Sequence, residues 1–371
     1  MTTSLKAHKY LSEIEVYKPG KAKISGATNV KVAKLSSNEN ALGSSPKALA
    51  AYQQHAAEIF RYADGSCALL REALAHQHKI DAERIVCGAG SDEIIALLTS
   101  AFAGAGDEII YSQHGFLMYP ISAKRAGAKA VMVAETGLKA DISAILRAIT
   151  VQTKIIFIAN PNNPTGSYLN KDEVQRLING VPKNVLIVLD HAYEEFAQGL
   201  AADYPSAIAL VNAHENVVVT RTFSKVYGLA SLRIGWCYGS SYVAEILNKM
   251  RGPFNVGGPA QVAAVAALQD EEFFAKSLTH NKKWLEKIFA EISQLNKIKA
   301  FPSVANFILL DFGSVEACKK ANEKFLAQAI ILREMGSYHL PSCLRMTIGT
   351  DDENKKLLEV LRMIDGSENF N

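Results

Sequence analysis

The sequence predicts an α/β fold with a mostly parallel central sheet, helices on both faces and a smaller α+β C-terminal domain. Two observations carry that expectation. Between about residues 36 and 255 the apolar runs RIVCG, DEIIYS, KAVMVAE, KIIFIAN, NVLIVLD, NVVVTRT and IGWCYGS alternate with amphipathic stretches. Strands this apolar belong in a sheet covered on both faces, and helical crossovers between them keep neighbours parallel. After about residue 260 the texture changes. A helical region from Ala260 to Leu295 precedes the short runs FILLDF, IILRE and CLRMTIG, with EACKKANEKFLAQA between the first two and DENKKLLEVLRMI near the C-terminus.

Residues 1–35 are polar and mixed and are broken at Pro19-Gly20, which predicts an extended arm rather than a core element. The expected division is an arm at 1–35, a large domain at 36–258 and a small domain at 259–371. A chain of 371 residues, 49% hydrophobic, is ample for one large core and an appended smaller one. The formal net charge of +3, with no long basic run, argues against nucleic acid as a partner. The five cysteines are scattered without a close pair, as in reduced proteins. The N-terminus lacks an apolar leader core, and no stretch nears the roughly 18 uninterrupted apolar residues of a membrane span. A cytoplasmic protein without a membrane partner is expected. There is no HExxH or paired-cysteine spacing, and His76 and His78 lie two apart on a helix, so no metal is expected.

In doubly wound sheets ligands sit outside the carboxyl ends of the strands, so the residues that follow each apolar run are the ones to inspect. RIVCG opens onto Gly88-Ala-Gly-Ser-Asp-Glu93 and then an apolar-periodic helix starting near Ser91. Glycines there permit close backbone approach, and the free amides of a helix start favour an anion. The same turn also serves simply as a tight connection. NVLIVLD ends in Asp190, which is either a buried acid in need of a cation or the cap of the next element. KIIFIAN runs into Asn160-Pro-Asn-Asn-Pro-Thr-Gly166, and NVVVTRT leads to Thr222-Phe-Ser-Lys225. Lys225, flanked by hydroxyls and followed by Arg233, reads as an activated amine or as an ordinary solvated lysine. The aromatic residues Phe116 and Tyr119 read by themselves as core packing.

Taken in chain order, NPNNPTG, Asp190-x-x-Tyr193, TFSK and Arg233 within LASLRIG resemble the fold-type I pyridoxal-phosphate aminotransferases. Within that superfamily the chain resembles the histidinol-phosphate aminotransferases, through IEVYKPGKA, KLSSNENALGSSP, FRYADGSCALLREALA, GSDEII, GFLMYPISAKRAGA and SYHLPSCLRMTIGTDDENKKLLEVL. The resemblance implies pyridoxal 5'-phosphate as cofactor, held on Lys225 as a Schiff base, with Lys225 later moving the substrate proton. It implies that Asp190 keeps the pyridine nitrogen protonated and that Asn163 and Tyr193 bond the ring's phenolic oxygen. Phe116 would stack on the ring, and Gly90, Ser91, Asp92, Thr222, Ser224 and Arg233 would surround the phosphate. Tyr62 would reach that phosphate from the other subunit of a homodimer. On the substrate side it points to Arg345 for the glutamate carboxylate, to Tyr17 and Arg333 for the histidinol phosphate group, and to Asn40.

The sequence departs from the family pattern at Ala41, Ala63, His191, Ser231 and Glu334. Glu334 bears on the substrate, since an acid beside Arg333 would repel a phosphate unless strand alternation turns it away. The expected reaction interconverts L-histidinol phosphate and 2-oxoglutarate with imidazole-acetol phosphate and glutamate. Alternatives are an aromatic amino acid aminotransferase, a threonine-phosphate decarboxylase, and a non-enzymatic regulator on the same scaffold.

Overall fold

The computed structural model describes residues 5–17, 20–21 and 31–367. Pro19, half of the expected break in the arm, lies outside them. Seven strands form the large sheet: β1 (Ile85–Gly88), β2 (Glu108–Ser112), β3 (Lys129–Val133), β4 (Thr153–Ala159), β5 (Leu186–Asp190), β6 (Val217–Thr222) and β7 (Gly235–Tyr238). Their spatial order is β1-β7-β6-β5-β4-β2-β3, and each matches one apolar run of the sequence. β7 is antiparallel to both its neighbours, while the pairings from β6 through β3 are all parallel. Every residue of β1, β5, β6 and β7 is buried, as a sheet covered on both faces requires.

Three helices of the large sheet's region matter for the site: α1 (Pro46–His55), α2 (Ala68–His78) and α3 (Ser91–Phe102). The helical region expected from Ala260 to Leu295 is two helices, α4 (Gly258–Leu268) and α5 (Glu271–Ile292). The break falls where the Asp270 side chain accepts from the Phe273 amide and caps α5, a local bond that competes with continuing the first helix. α4 lies along α1 and α2, and its Ala260, Ala263, Ala264 and Ala267 belong to the core under the large sheet. The change of packing partner therefore falls inside α5, whose Trp284, Leu285, Ile288 and Ile292 enter the second core.

That second core lies against an antiparallel sheet of order β8-β9-β11-β10, made of β8 (Lys299–Ala300), β9 (Phe307–Asp311), β10 (Arg333–Glu334) and β11 (Cys343–Thr347). Its helices are Val315–Ala327 and Asp351–Asp365. The end of the N-terminal segment is not an arm outside the core. Ala33–Lys34 pairs in parallel with Ile330–Ile331, and Ala33 and Leu35 are buried in the second core. Two residues of strand in a polar stretch carry no period-2 signal, so only the pairing reveals them.

Candidate active site

The carboxyl ends of β1, β4, β5 and β6 converge on a cavity of about 250 Å³. Among the residues that the sequence singled out, Tyr17, Ser91, Asp92, Phe116, Asn163, Asp190, Tyr193, Thr222, Ser224, Lys225, Arg233, Arg333 and Arg345 line it. Gly90 adjoins it beneath Arg233. Asn40 and Tyr62 do not line it. Asn40 donates to the Val226 carbonyl at 2.6 Å and to Ser277 Oγ at 3.0 Å, bracing the segment after Lys225 from behind. Tyr62 is 84% exposed and stacks on Phe254 with centroids 4.6 Å apart.

One end of the cavity is a cradle for an anion. Gly90 has φ +85°, the left-handed region, and a Cβ there would collide with the guanidinium of Arg233. No side chain caps α3, so its first amides are free to bind a ligand. Arg233 reaches over them, donating to Ser224 Oγ at 3.2 Å and to Asp92 Oδ2 at 3.3 Å. Thr222 Oγ1 accepts from the Ser224 amide at 3.1 Å and fixes the turn that leads to Lys225.

Asp190 ends β5 and is 6% exposed. It caps nothing: the next helix, Glu194–Gln198, has Tyr193 at its N-cap and no side-chain cap bond. Tyr119 donates to Oδ2 at 2.7 Å and Thr220 to Oδ1 at 3.1 Å. Burial raises its pKa even so, because two hydroxyls do not replace the lost water. Tyr119 thus has a polar duty that its apolar neighbours in the sequence hid. It stacks on Phe157 at 4.7 Å and meets Phe116 edge-on, placing Phe116 over the same space.

Lys225 lies in the cavity with its Nζ 3.3 Å from the Ser37 carbonyl and 5.6 Å from the centre of the Tyr193 ring. Burial, then the charge of Arg345, holds its amine down to about 8. Burial pushes the Tyr193 phenol up to about 12, and its oxygen accepts from Asn38 Nδ2 at 2.8 Å. Its own proton is therefore available to a ligand oxygen. Asn163 Oδ1 accepts from Arg345 Nη1, which orients the amide.

Arg333 and Arg345 face each other as direct partners across β10 and β11. Both are nearly buried, at 9% and 5% exposure, and like charges opposite one another on a sheet are unfavourable unless anions meet them. Arg345 also donates to the Ser36 carbonyl at 3.0 Å. Tyr17 sits with its ring centre 6.0 Å from the Arg333 guanidinium. Glu334 is turned out as alternation predicts, exposed and 3.3 Å from Lys21.

Several working parts had no signal in the sequence. Ser36, Ser37 and Asn38 line the cavity from the N-terminal segment, and Tyr338 from the small sheet. Arg221, between Thr220 and Thr222, is fully buried and pinned by Glu194 at 2.7 Å and Glu195 at 2.8 Å. Burial opposes ionisation of Glu194, but Arg221 and His191 outweigh it and hold the carboxyl down to about 2. His191 Nδ1 is 3.1 Å from that carboxylate and 3.1 Å from the Tyr204 hydroxyl, which also donates to the Asn160 carbonyl. This buried set ties together the ends of β4, β5 and β6.

Residues 30–361 match the family model for aminotransferase class I and II. The chain belongs to that family. Curated relatives in it include a histidinol-phosphate aminotransferase of Paramagnetospirillum magneticum, 47% identical over 360 residues that span 96% of this chain and 98% of the relative. One of Rhodopseudomonas palustris is 46% identical over 94% of this chain and 95% of the relative. Among solved structures, histidinol-phosphate aminotransferase from Sinorhizobium meliloti in complex with pyridoxal-5'-phosphate superposes with a TM-score of 0.88 at 25% identity, over 98% of this chain and 99% of that one. The fold is that of the fold-type I aminotransferases. The cavity fits such a cofactor on its own terms. A buried carboxylate with only hydroxyl donors suits a protonated ring nitrogen, and the amides of α3 with Arg233 suit a phosphate.

Proposed function

We propose that the chain interconverts L-histidinol phosphate plus 2-oxoglutarate with 3-(imidazol-4-yl)-2-oxopropyl phosphate plus L-glutamate, using pyridoxal 5'-phosphate. The observation that carries the substrate assignment is the buried cross-strand pair of Arg333 and Arg345, distinct from the Arg233 cradle. A phosphorylated amine and a dicarboxylic amino acid each bring an anion to such a pair.

Bound pyridoxal phosphate supplies a carbonyl that carries the amino group and a protonated ring that withdraws electrons. Lys225 would hold that carbonyl through its amine and would serve as the base that moves the proton at the substrate carbon. Asp190, whose two oxygens Tyr119 and Thr220 fix, would hold the proton at the ring nitrogen. Tyr193, through its phenol hydrogen, and Asn163 would hold the ring oxygen. Phe116 would cover the ring, while Gly90, Ser91, Asp92, Thr222, Ser224 and Arg233 would hold the phosphate. Arg345 takes the carboxylate of glutamate; Tyr17 and Arg333 take the substrate phosphate.

The reading divides the chain into a large cofactor domain and a small domain joined through α5. It also calls for a homodimer. Ile59, Phe60, Tyr62 and Leu69 are all exposed and Tyr62 stacks on Phe254, apolar exposure of the kind that marks a contact face, and Tyr62 would reach the partner's cofactor phosphate from it. The five cysteines are buried and unpaired, in keeping with a cytoplasmic enzyme. Among the described residues no helix is long and apolar enough to cross a membrane. Turnover of histidinol phosphate, phenylalanine and threonine phosphate, each with 2-oxoglutarate, tests the substrate assignment directly. Preference for phenylalanine would replace it with the aromatic aminotransferase reading.

Two results follow from the geometry. Truncating Arg333 to alanine removes charge-assisted bonds worth about 1.5 to 3 kcal/mol, or about ten- to a hundredfold in kcat/KM for histidinol phosphate. Phosphate-free phenylalanine should lose far less; equal losses would show that Arg333 reads something common to both. The second concerns Lys225. Its attack on the cofactor carbonyl needs the neutral amine, so uptake of pyridoxal phosphate by the apoprotein should quicken with pH and level off near about 8. Below that pH the ammonium form dominates. Stopped-flow absorbance would show the bend, and a rate still climbing toward the 10.5 of an ordinary lysine would remove the depressed amine.

A further inference from the structure

Tyr338 ends the short turn Gly336–Tyr338, which follows the strand that carries Arg333. It is 2% exposed and lines the cavity. Its hydroxyl has no hydrogen-bond partner among the described residues, and the side chain lines the cavity. Burial holds the phenol well above its ordinary range, and it feels the charges of both Arg345 and Arg333. A phenol that stays protonated beside two guanidinium groups offers one more donor to an anion.

The turn is held from the large sheet. His114, just beyond β2, has its Nδ1 2.7 Å from the Tyr338 carbonyl; a carbonyl only accepts, so Nδ1 carries the proton. The His114 amide donates to Glu135 Oε1 at 3.1 Å, and Asn162 Nδ2 approaches the same oxygen at 3.5 Å. Asn162 adjoins Asn163, and Phe116 lies two residues past His114. His114 therefore links three segments: its backbone amide, through Glu135, ties the ring-covering segment to the Asn163 loop, and its imidazole ties both to the Tyr338 turn.

We propose that Tyr338 is a specificity-determining residue that donates its phenol hydrogen to the phosphate monoester of the substrate, and that His114 is the positioning residue that holds it in place. The phosphate is the group chosen because Tyr338 follows the Arg333 strand directly and so joins Tyr17 and Arg333, whereas the planar fork of Arg345 matches a carboxylate unaided. The inference rests on the histidinol phosphate reading above.

The test uses the holoenzyme with Tyr338→Phe, His114→Ala, His114→Asn and the double variant Tyr338→Phe/His114→Ala. Half-reactions with histidinol phosphate, glutamate and phenylalanine are followed by cofactor absorbance, and inorganic phosphate is titrated as a direct probe. Tyr338→Phe should raise half-saturation about tenfold for histidinol phosphate and for inorganic phosphate, the loss of one hydrogen bond to a charged group. The maximal rate should stay within about twofold, and glutamate and phenylalanine should shift by less than about threefold. His114→Ala should cost about fivefold for the same two ligands, asparagine should restore most of it, and the double variant should match Tyr338→Phe. Unchanged inorganic phosphate affinity in Tyr338→Phe would overturn the role of Tyr338, and an equal loss with glutamate would overturn its selectivity. Additive losses in the double variant would overturn the role of His114. Wild-type enzyme that ignores histidinol phosphate would sink the activity reading instead, while inorganic phosphate still decides the fate of Tyr338.

Discussion

Lys225→Ala should abolish transamination, by about a thousandfold or more, while leaving the protein folded. The substitution removes both the amine that would bind the cofactor carbonyl and the base that would move the substrate proton, and among the described residues no second lysine lines the cavity to replace it. Folding should not suffer, because among the described residues the Nζ makes one long hydrogen bond, to the Ser37 carbonyl at 3.3 Å, and no carboxylate pairs with it. Removing an amine whose charge is disfavoured by burial costs little in the native state. Circular dichroism and melting temperature check the fold, and steady-state turnover checks the loss. Native protein in which borohydride leaves no cofactor fixed on Lys225, or a variant with ordinary turnover, would remove the central assignment.

Asp190→Asn should retain bound cofactor yet lose about a hundredfold or more in kcat. The amide keeps the size of the side chain, and its oxygen can still accept from Tyr119 or Thr220. What it lacks is charge. In a cage where burial already opposes ionisation, only a cation at the ring nitrogen restores the carboxylate, and only the carboxylate keeps that nitrogen protonated. Cofactor content measured by absorbance and kcat measured by coupled assay separate the two effects. Activity within a few-fold of wild type would reassign Asp190 as a structural acid.

Much of this was legible in the sequence because the strands of the large sheet are buried on both faces, which leaves continuous apolar runs. Their polar successors then name the cavity: Asp190 after β5, Thr222 to Lys225 after β6, Ser91 after β1. The resemblance added residues that no local pattern marks, such as Phe116, Arg333 and Arg345. What stayed hidden is what depends on partners remote in sequence. Tyr119 looks like core until its hydroxyl is seen on Asp190, and Asn38 is one polar residue among many until it meets Tyr193. His114 and Tyr338 lie 224 positions apart, and nothing local in either predicts the other. Asn40 shows the converse, since the motif places it in a family role while its side chain braces the Val226 carbonyl and Ser277 behind the cavity.

The pairing of Ala33–Lys34 with Ile330–Ile331 has a consequence for engineering. Past that strand the segment goes on to receive the Thr347 amide at Leu35, the Arg345 guanidinium at Ser36 and the Asn306 amide at Asn38. Asn38 in turn reaches Tyr193 beside Lys225. One wall of the cavity is thus built from two distant stretches that form one surface. A chimera that imports another enzyme's C-terminal third but keeps its own residues 31–40 would splice mismatched halves of a single template. Transplanting substrate preference should require both pieces to travel together, with residues 31–40 as the smaller but indispensable one.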